Sequence, residues 1–170
     1  TNMISPKSFR ECSNINITDS TINSAEVFWK CANVTIHNSN ITGEYMFLNT
    51  DAININTSTF NGKYSFQYIY DVKISDCKLY TKDAFWHSKN VTVKNSFIEG
   101  EYLGWYSENL TLINCHIKGT QPLCYCNGLK IIDCTFEDAD LAFENSEVDA
   151  VINSSMISIK NPLSGKISVE

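Results

Sequence analysis

The chain is poor in positive charge. Arg10 is its single arginine, and 13 basic residues stand against 19 acidic ones for a net charge of -6. A protein that neutralises nucleic-acid phosphates needs a basic surface, so nucleic acid is not an expected partner. Long apolar stretches are also missing. The longest run is of the size of Tyr45-Met-Phe-Leu48, far from the roughly 20 residues that cross a bilayer as a helix. No charged-then-apolar leader opens the chain, and no membrane partner is expected. Glycine and proline are scarce, at 7 and 3 of 170 residues, which excludes collagen-like and linker-like sequences. No Gly-rich phosphate loop, nucleophile elbow or His-Glu-x-x-His motif is present. Nothing in the sequence calls for a cofactor or a metal.

The abundant residues are apolar, at 43%, with 12% aromatic; that is enough for one folded domain of this length. They recur at a fixed interval. Asn14-Ile-Asn-Ile, Asn33-Val-Thr-Ile, Ala52-Ile-Asn-Ile, Asp71-Val-Lys-Ile, Asn90-Val-Thr-Val, Asn109-Leu-Thr-Leu and Gly128-Leu-Lys-Ile each begin 19 residues after the last. With the first residue of each block as position 0, positions 1 and 3 are aliphatic throughout. Position 8 is Ile22, Ile41, Phe60, Leu79, Ile98, Ile117 and Phe136, and position 6 alternates between serine and cysteine. Alternation at 1 and 3 and again at 6 and 8 is the period of a strand. The β-branched residues and asparagines argue against a helical repeat. Nineteen residues suffice for one three-sided turn in which each strand pairs with its own copy about 4.8 Å away. The expected fold is therefore all-β: a single-stranded right-handed parallel β-helix of about eight coils, three strands per coil, the hand following from the crossover rule.

Charge gives an independent test of the register, because residues 19 apart then lie side by side. Lys7/Glu26, Glu11/Lys30, Glu44/Lys63, Lys82/Glu101, Lys89/Glu108, Glu99/Lys118, Lys118/Glu137 and Lys130/Asp149 are opposite pairs, whereas Lys63/Lys82 is the one like pair. Position 5 holds Asp19, Asn38, Thr57, Asp76, Asn95, Asn114 and Asp133, a corner column whose side chains can hydrogen-bond along the stack.

One domain over residues 1–170 is expected, with a partial first coil at 1–13, seven full coils at 14–146, and a degenerate coil and cap at 147–170. The chain begins at Thr1, partway round a coil, with Phe9 in the column of Phe28 and Cys12 in that of Cys31. Repeat arrays need capped ends, so the solenoid is expected to continue upstream or to be covered by another chain, and end-to-end or face-to-face homo-oligomers are candidate assemblies. The register is expected to slip after Glu147. Seven cysteines follow the repeat rather than paired spacings, which predicts reduced core thiols and a cytoplasmic location. The Asn-x-Ser/Thr triplets at Asn16, Asn33, Asn40, Asn56, Asn90, Asn109 and Asn153 are read as repeat chemistry.

Positions 12 to 17, the third side, carry large residues on both faces. On this third strand, the polar residues at positions 12 and 16 place position 14 outside with them. Phe9, Phe28, Phe47, Phe66 and Phe85 then form an exposed stack, and position 15, with Trp29, Trp86 and Trp105, points inward. The competing parity buries the Phe column and exposes the Trp column. Either exposes aromatic area, which signals binding. The ligand-binding candidates are Tyr64, Phe66, Tyr68, Phe85, Tyr102, Tyr106 and Tyr125, facing a glycan or a protein. The catalytic candidates are Asp83, His87 and Glu101, with His87 as base and a carboxyl as acid. A noncatalytic binding module, a carbohydrate-active enzyme centred on Asp83 and His87, and a structural assembly module are the three readings left open.

On Asn90-Val-Thr-Val-Lys-Asn-Ser, Gly100-Glu-Tyr-Leu-Gly-Trp-Tyr-Ser-Glu-Asn109-Leu-Thr-Leu and Gly119-Thr-Gln-Pro-Leu-Cys-Tyr-Cys, the chain resembles an uncharacterised bacterial family, domain of unknown function 3737. The likeness runs from about Phe9 to Gly165. It implies an architecture like that of pectin-lyase-like β-helix proteins and a longer amino end, and no activity. The active sites of pectate lyases and polygalacturonases find no counterpart here, since Arg10 lies outside the complete coils and the aspartate columns are interrupted.

Overall fold

The computed structural model describes residues Thr1–Glu170 and contains strands but no helix, hence no helix long and apolar enough to cross a membrane. The strands form two parallel ladders. One comprises Ser13–Thr18, Ala32–His37, Asp51–Asn56, Tyr70–Ser75, Lys89–Lys94, Glu108–Ile113, Leu129–Glu137, Glu147–Ile152 and Ser164–Val169. The other comprises Asn2–Ile4, Thr21–Asn23, Asn40–Glu44, Thr59–Lys63, Lys78–Lys82, Phe97–Glu99 and His116–Lys118, and closes on the far end of Leu129–Glu137. Partners are one repeat apart, as in Ile36 to Ile55 to Ile74 and Ile41 to Phe60 to Leu79. The chain is a β-solenoid of about nine turns, and the apolar columns at positions 1, 3 and 8 lie in its core.

The corners explain the polar columns. Position 5 has a left-handed backbone in every coil from Asp19 to Asp133, the conformation that Asn and Asp tolerate best after Gly. Their side chains also bond along the stack, Asn114 Nδ2 donating to Asn95 Oδ1 at 3.0 Å and Asn38 Nδ2 to Asp19 Oδ1 at 2.6 Å. The turn leaves the next amide without a ladder partner. A hydroxyl at position 6 of the following coil accepts from it: Ser39 N–H donates to Ser58 Oγ at 3.1 Å, while the Ser58 hydroxyl donates to Asn56 O at 2.9 Å. A small side chain that both donates and accepts is required, and Ser or Cys supplies it. All seven cysteines are free thiols, and only Cys12 is exposed. Four of the charge pairs read from the repeat close as salt bridges: Lys7–Glu26 at 3.3 Å, and Lys82–Glu101, Lys89–Glu108 and Lys118–Glu137 at 3.0 Å.

The third side departs from the expected three strands per coil. It is a stack of turns in which positions 14 and 16, and from Tyr45 onward position 12, have positive φ, as at Tyr64 (59°), Phe66 (59°) and Tyr68 (54°). Its amides are satisfied between coils in alternating directions. Tyr64 N–H donates forward to Lys82 O at 2.8 Å, Phe66 N–H backward to Met46 O at 2.8 Å, and Tyr68 N–H forward to Trp86 O at 2.9 Å. Faces alternate residue by residue only in extended backbone. Here positions 13 and 14 both turn inward and 15 and 16 outward. The Phe column is therefore the solenoid's inner wall: Phe28, Phe47, Phe66 and Phe85 have no exposed surface, and Phe47–Phe66 and Phe66–Phe85 stack at 4.7 and 5.3 Å between ring centroids. Phe66 and Phe85 cannot contact an external ligand, which corrects their assignment as binding residues.

The register shifts after Glu147 as expected, Ile131 pairing Ala150 at 19 residues but Cys134 pairing Ile152 at 18, and it also slips once earlier. Gly119 N–H still donates to Glu137 O, 18 residues on, but Gln121 N–H reaches Asp140 O, 19 on. One extra residue therefore lies between Glu137 and Asp140. It puts Phe143 rather than Ala142 in the Phe column, where it meets Phe136 edge-on at 6.0 Å.

Candidate functional site

The outer surface of the turn stack carries three parallel aromatic rows. The outermost, at position 16, is Tyr68, His87, Tyr106 and Tyr125. Their rings stack with centroids 4.8, 5.0 and 4.9 Å apart and planes within 11° of parallel. Coil spacing alone produces this, because identical side-chain directions repeat at the strand-to-strand distance. Tyr68 and Tyr106 are 51% and 46% exposed.

The middle row, at position 15, contains the tryptophans. Each lies half-buried over the turns and donates its indole N–H to a carbonyl at position 12 of the next coil: Trp29 to Tyr45 O at 2.7 Å, Trp86 to Tyr102 O at 2.7 Å and Trp105 to Gln121 O at 2.8 Å. Gln67 Nε2 fills the same role toward Asp83 O at 3.0 Å. The indoles of Trp86 and Trp105 are 4° from parallel at 5.4 Å, and Trp105 meets the edge of Tyr125 at 5.3 Å. The outer and middle rows are thus one continuous face.

The inner row, at position 12, reads Tyr45, Tyr64, Asp83, Tyr102, Gln121. Tyr45 and Tyr64 stack at 4.8 Å. Asp83 then removes one ring and leaves a cleft of about 400 Å³ lined by Tyr64, Lys82, Asp83, Trp86, Tyr102, Trp105 and Gln121. Asp83 is 7% exposed, and its Oδ1 has no hydrogen-bond partner. Burial pushes its carboxyl above the ordinary carboxylate range, the Lys82 ammonium pulls it back, and the Glu101 charge adds to the rise. Lys82 Nζ sits 3.0 Å from Glu101 Oε2 and 5.3 Å from the centroid of Tyr102.

The residues singled out in the sequence therefore separate into three places. Tyr64, Asp83 and Tyr102 meet in the cleft, with Glu101 held to Lys82. Tyr68, His87, Tyr106 and Tyr125 form the ladder. Phe66 and Phe85 are core. Asp83 and His87 are not brought together: Trp86 stands in the row between them, and the imidazole is packed between Tyr68 and Tyr106 rather than turned to the cleft. The sequence reading reached Trp86 and Trp105 only through the competing parity, and it missed Lys82 and Gln121. The indoles carried a usable signal, since a buried Trp N–H needs an acceptor and an interior of aliphatic columns offers none. No three His, Cys, Asp or Glu side chains converge as a metal site would need.

The model of the family described as "Protein of unknown function (DUF3737)" matches residues 1–170, so the chain belongs to that family. No curated protein matches it.

Proposed function

Because membership of that family assigns no activity, we propose that the chain is a noncatalytic binding module whose aromatic face takes a glycan. The ladder Tyr68–His87–Tyr106–Tyr125 carries this reading. Four parallel rings at about 5 Å, backed by Trp86 and Trp105, present a flat, rigid strip. The apolar faces of successive sugar rings can lie against such a strip while their hydroxyls stay in water. Contiguous exposed aromatic surface of this kind marks an interaction site, and its preorganisation by the coil lowers the ordering cost of binding. An enzyme centred on Asp83 and His87 gains nothing from the geometry, since a proton relay needs hydrogen-bond reach between its members and Trp86 separates these two. Right-handed winding and a pectin-lyase-like lineage belong to the same proposal, supported by the crossover rule. So does a reducing compartment, supported by six buried thiols left unpaired.

The test is binding to an array of polysaccharides by the parent chain and by a Tyr68→Ala/Tyr106→Ala variant. The parent is expected to retain one or more polysaccharides, and the variant, folded by circular dichroism, to lose at least tenfold in affinity. Turnover of a bound polysaccharide, abolished by Asp83→Asn, would overturn the noncatalytic reading. No polysaccharide binding, with a concentration-dependent dimer that the same double substitution dissolves, would replace the glycan by a protein surface.

A further inference from the structure

We propose that the cleft between Tyr64 and Tyr102, floored by Asp83, is a single-ring subsite for a neutral pyranose. This rests on the glycan-binding reading and gives it a point of selectivity that the ladder lacks.

The width of the gap comes from the register. Tyr64 and Tyr102 occupy the same position two coils apart, so their rings are separated by roughly 9.6 Å, twice the strand spacing. A flat aromatic ring inserted between them would need about 7–8 Å at normal carbon contact distances of 3.5–4.0 Å on each side. It would leave about 2 Å of slack. A pyranose chair, thicker because of its puckered ring and axial hydrogens, takes up that difference over the part of the Tyr102 face that the Lys82 ammonium, 5.3 Å from the ring centroid, leaves open. The rear wall is apolar as well as aromatic. The N–H groups of Trp86 and Trp105 are already committed to Tyr102 O and Gln121 O, so the indoles offer only carbon surface.

The floor supplies the polar half of recognition. Asp83 is 93% buried at the cleft; its Oδ1 is closed to solvent and unpartnered, and Oδ2, neither closed off nor hydrogen-bonded, is the acceptor that a sugar hydroxyl can meet. A buried acceptor without a donor opposes folding, and every other ring position of the column avoids that cost. Next to it Lys82 brings an ammonium with N–H groups to spare beyond its bond to Glu101. An acceptor and a donor side by side match two neighbouring hydroxyls of a sugar, each able to give and take one hydrogen bond. Charge selects against acidic sugars, because Lys82 is the one cation at the cleft against Asp83 and Glu101.

The decisive variant restores the missing ring. Asp83→Tyr completes the column Tyr45, Tyr64, Tyr102 with the residue that its neighbours already carry at the same positive φ, so the coil should fold with the cleft filled. Methyl pyranosides of glucose, galactose and mannose, methyl glucuronoside and benzyl alcohol serve as probes. Binding is followed by saturation-transfer NMR and by the indole N–H resonances of Trp86 and Trp105. At least one neutral pyranoside should bind the parent, more tightly than glucuronoside or benzyl alcohol, and shift both resonances. Affinity should fall severalfold in Asp83→Asn and more than tenfold in Asp83→Tyr, while polysaccharide retention on the ladder persists. Undiminished pyranoside binding in a folded Asp83→Tyr would overturn the subsite, as would a preference for benzyl alcohol. If polysaccharides bind but no pyranoside does, the subsite alone fails; if neither binds, the glycan reading fails with it.

Discussion

Replacing Phe66 and Tyr68 in turn, two residues apart on the same turn, separates the inner wall of the solenoid from its outer face. Phe66 has no exposed surface, stacks on Phe47 at 4.7 Å and Phe85 at 5.3 Å, and meets Phe60 edge-on at 5.4 Å. Truncation of a core Phe to Ala costs about 3–5 kcal/mol, less where the surroundings can collapse. Here the walls cannot close, because the turns above and below are tied by backbone bonds such as Phe66 N–H to Met46 O at 2.8 Å. The upper part of that range, about 4.5 kcal/mol, is the expected loss for Phe66→Ala. With a urea m-value of roughly 2.5 kcal/mol/M, the unfolding midpoint falls by about 1.8 M. Tyr68→Ala removes a ring that is 51% exposed, and a loss of about 1 kcal/mol or less, roughly 0.4 M, is expected. Unfolding is followed by tryptophan fluorescence and far-ultraviolet circular dichroism together, since coincident transitions license a single free energy for a repeat array. Equal midpoint shifts for the two variants, or a Phe66→Ala shift below about 0.5 M, would refute the inward placement of the Phe column.

Thr57 is the one β-branched residue in the position 5 corner column, at φ 50°, and it interrupts the side-chain ladder between Asn38 and Asp76. Thr57→Asn should relieve about 1 kcal/mol of backbone strain and restore a hydrogen bond, raising the melting temperature by roughly 3–6 °C; an unchanged melting temperature would count against strain at that corner. Asp83 is expected to cost stability at neutral pH. Its carboxyl is raised in the fold above the ordinary 3.8 by burial, so the folded state holds the proton more tightly and its contribution, full below 3.8, is lost as pH rises through the folded value. Asp83→Asn should therefore melt higher than the parent at pH 7, with the difference shrinking toward pH 3.5; a lower melting temperature at pH 7 would mean that the carboxylate is well paired. Thiol titration of the native chain should find one fast cysteine, Cys12, and six that react only on unfolding, burial having pushed Cys77 and Cys126 up to about 11. A second fast thiol would contradict the packing of these columns.

The two ladders were legible because extended backbone converts sequence parity directly into faces, and Ile36, Ile41, Val93 and Leu112 are buried where alternation put them. The corners were legible for a chemical reason, since Asn and Asp at position 5 and Ser or Cys at position 6 are what a left-handed residue followed by an orphaned amide requires. The third side gave no such warning. Its left-handed positions are filled mostly by Phe, Tyr and His, with Asn49, Asp83 and Gly104 among the scattered exceptions, so no column of residue types announced that the parity rule had lapsed, and the choice of Phe outside over Trp outside rested on a strand that does not exist. The slip at Asp138–Ala139 was hidden differently. Ser146 sits 20 residues after Cys126, yet Val148 pairs Leu129 at 19, so Glu147 absorbs the extra residue and the column identities resume from Val148 to Ala150.

For the site, the informative feature was an interruption. His87 and Asp83 both break a column of tyrosines, but they do so with opposite physical results. The imidazole of His87 is another flat ring, and it keeps the stack at 4.8 and 5.0 Å on its two sides; a substitution of this kind needs no explanation beyond packing. Asp83 deletes a ring, opens a cleft and buries a carboxyl that no protein donor satisfies at Oδ1, three changes that each oppose folding. Local rules broken without a structural return concentrate where a ligand supplies it. The sequence could pair Asp83 with His87 by register, but only the turn geometry, which sets Trp86 between them, decides that Asp83 lines the cleft with Tyr64 and Tyr102 and that the histidine belongs to the ladder.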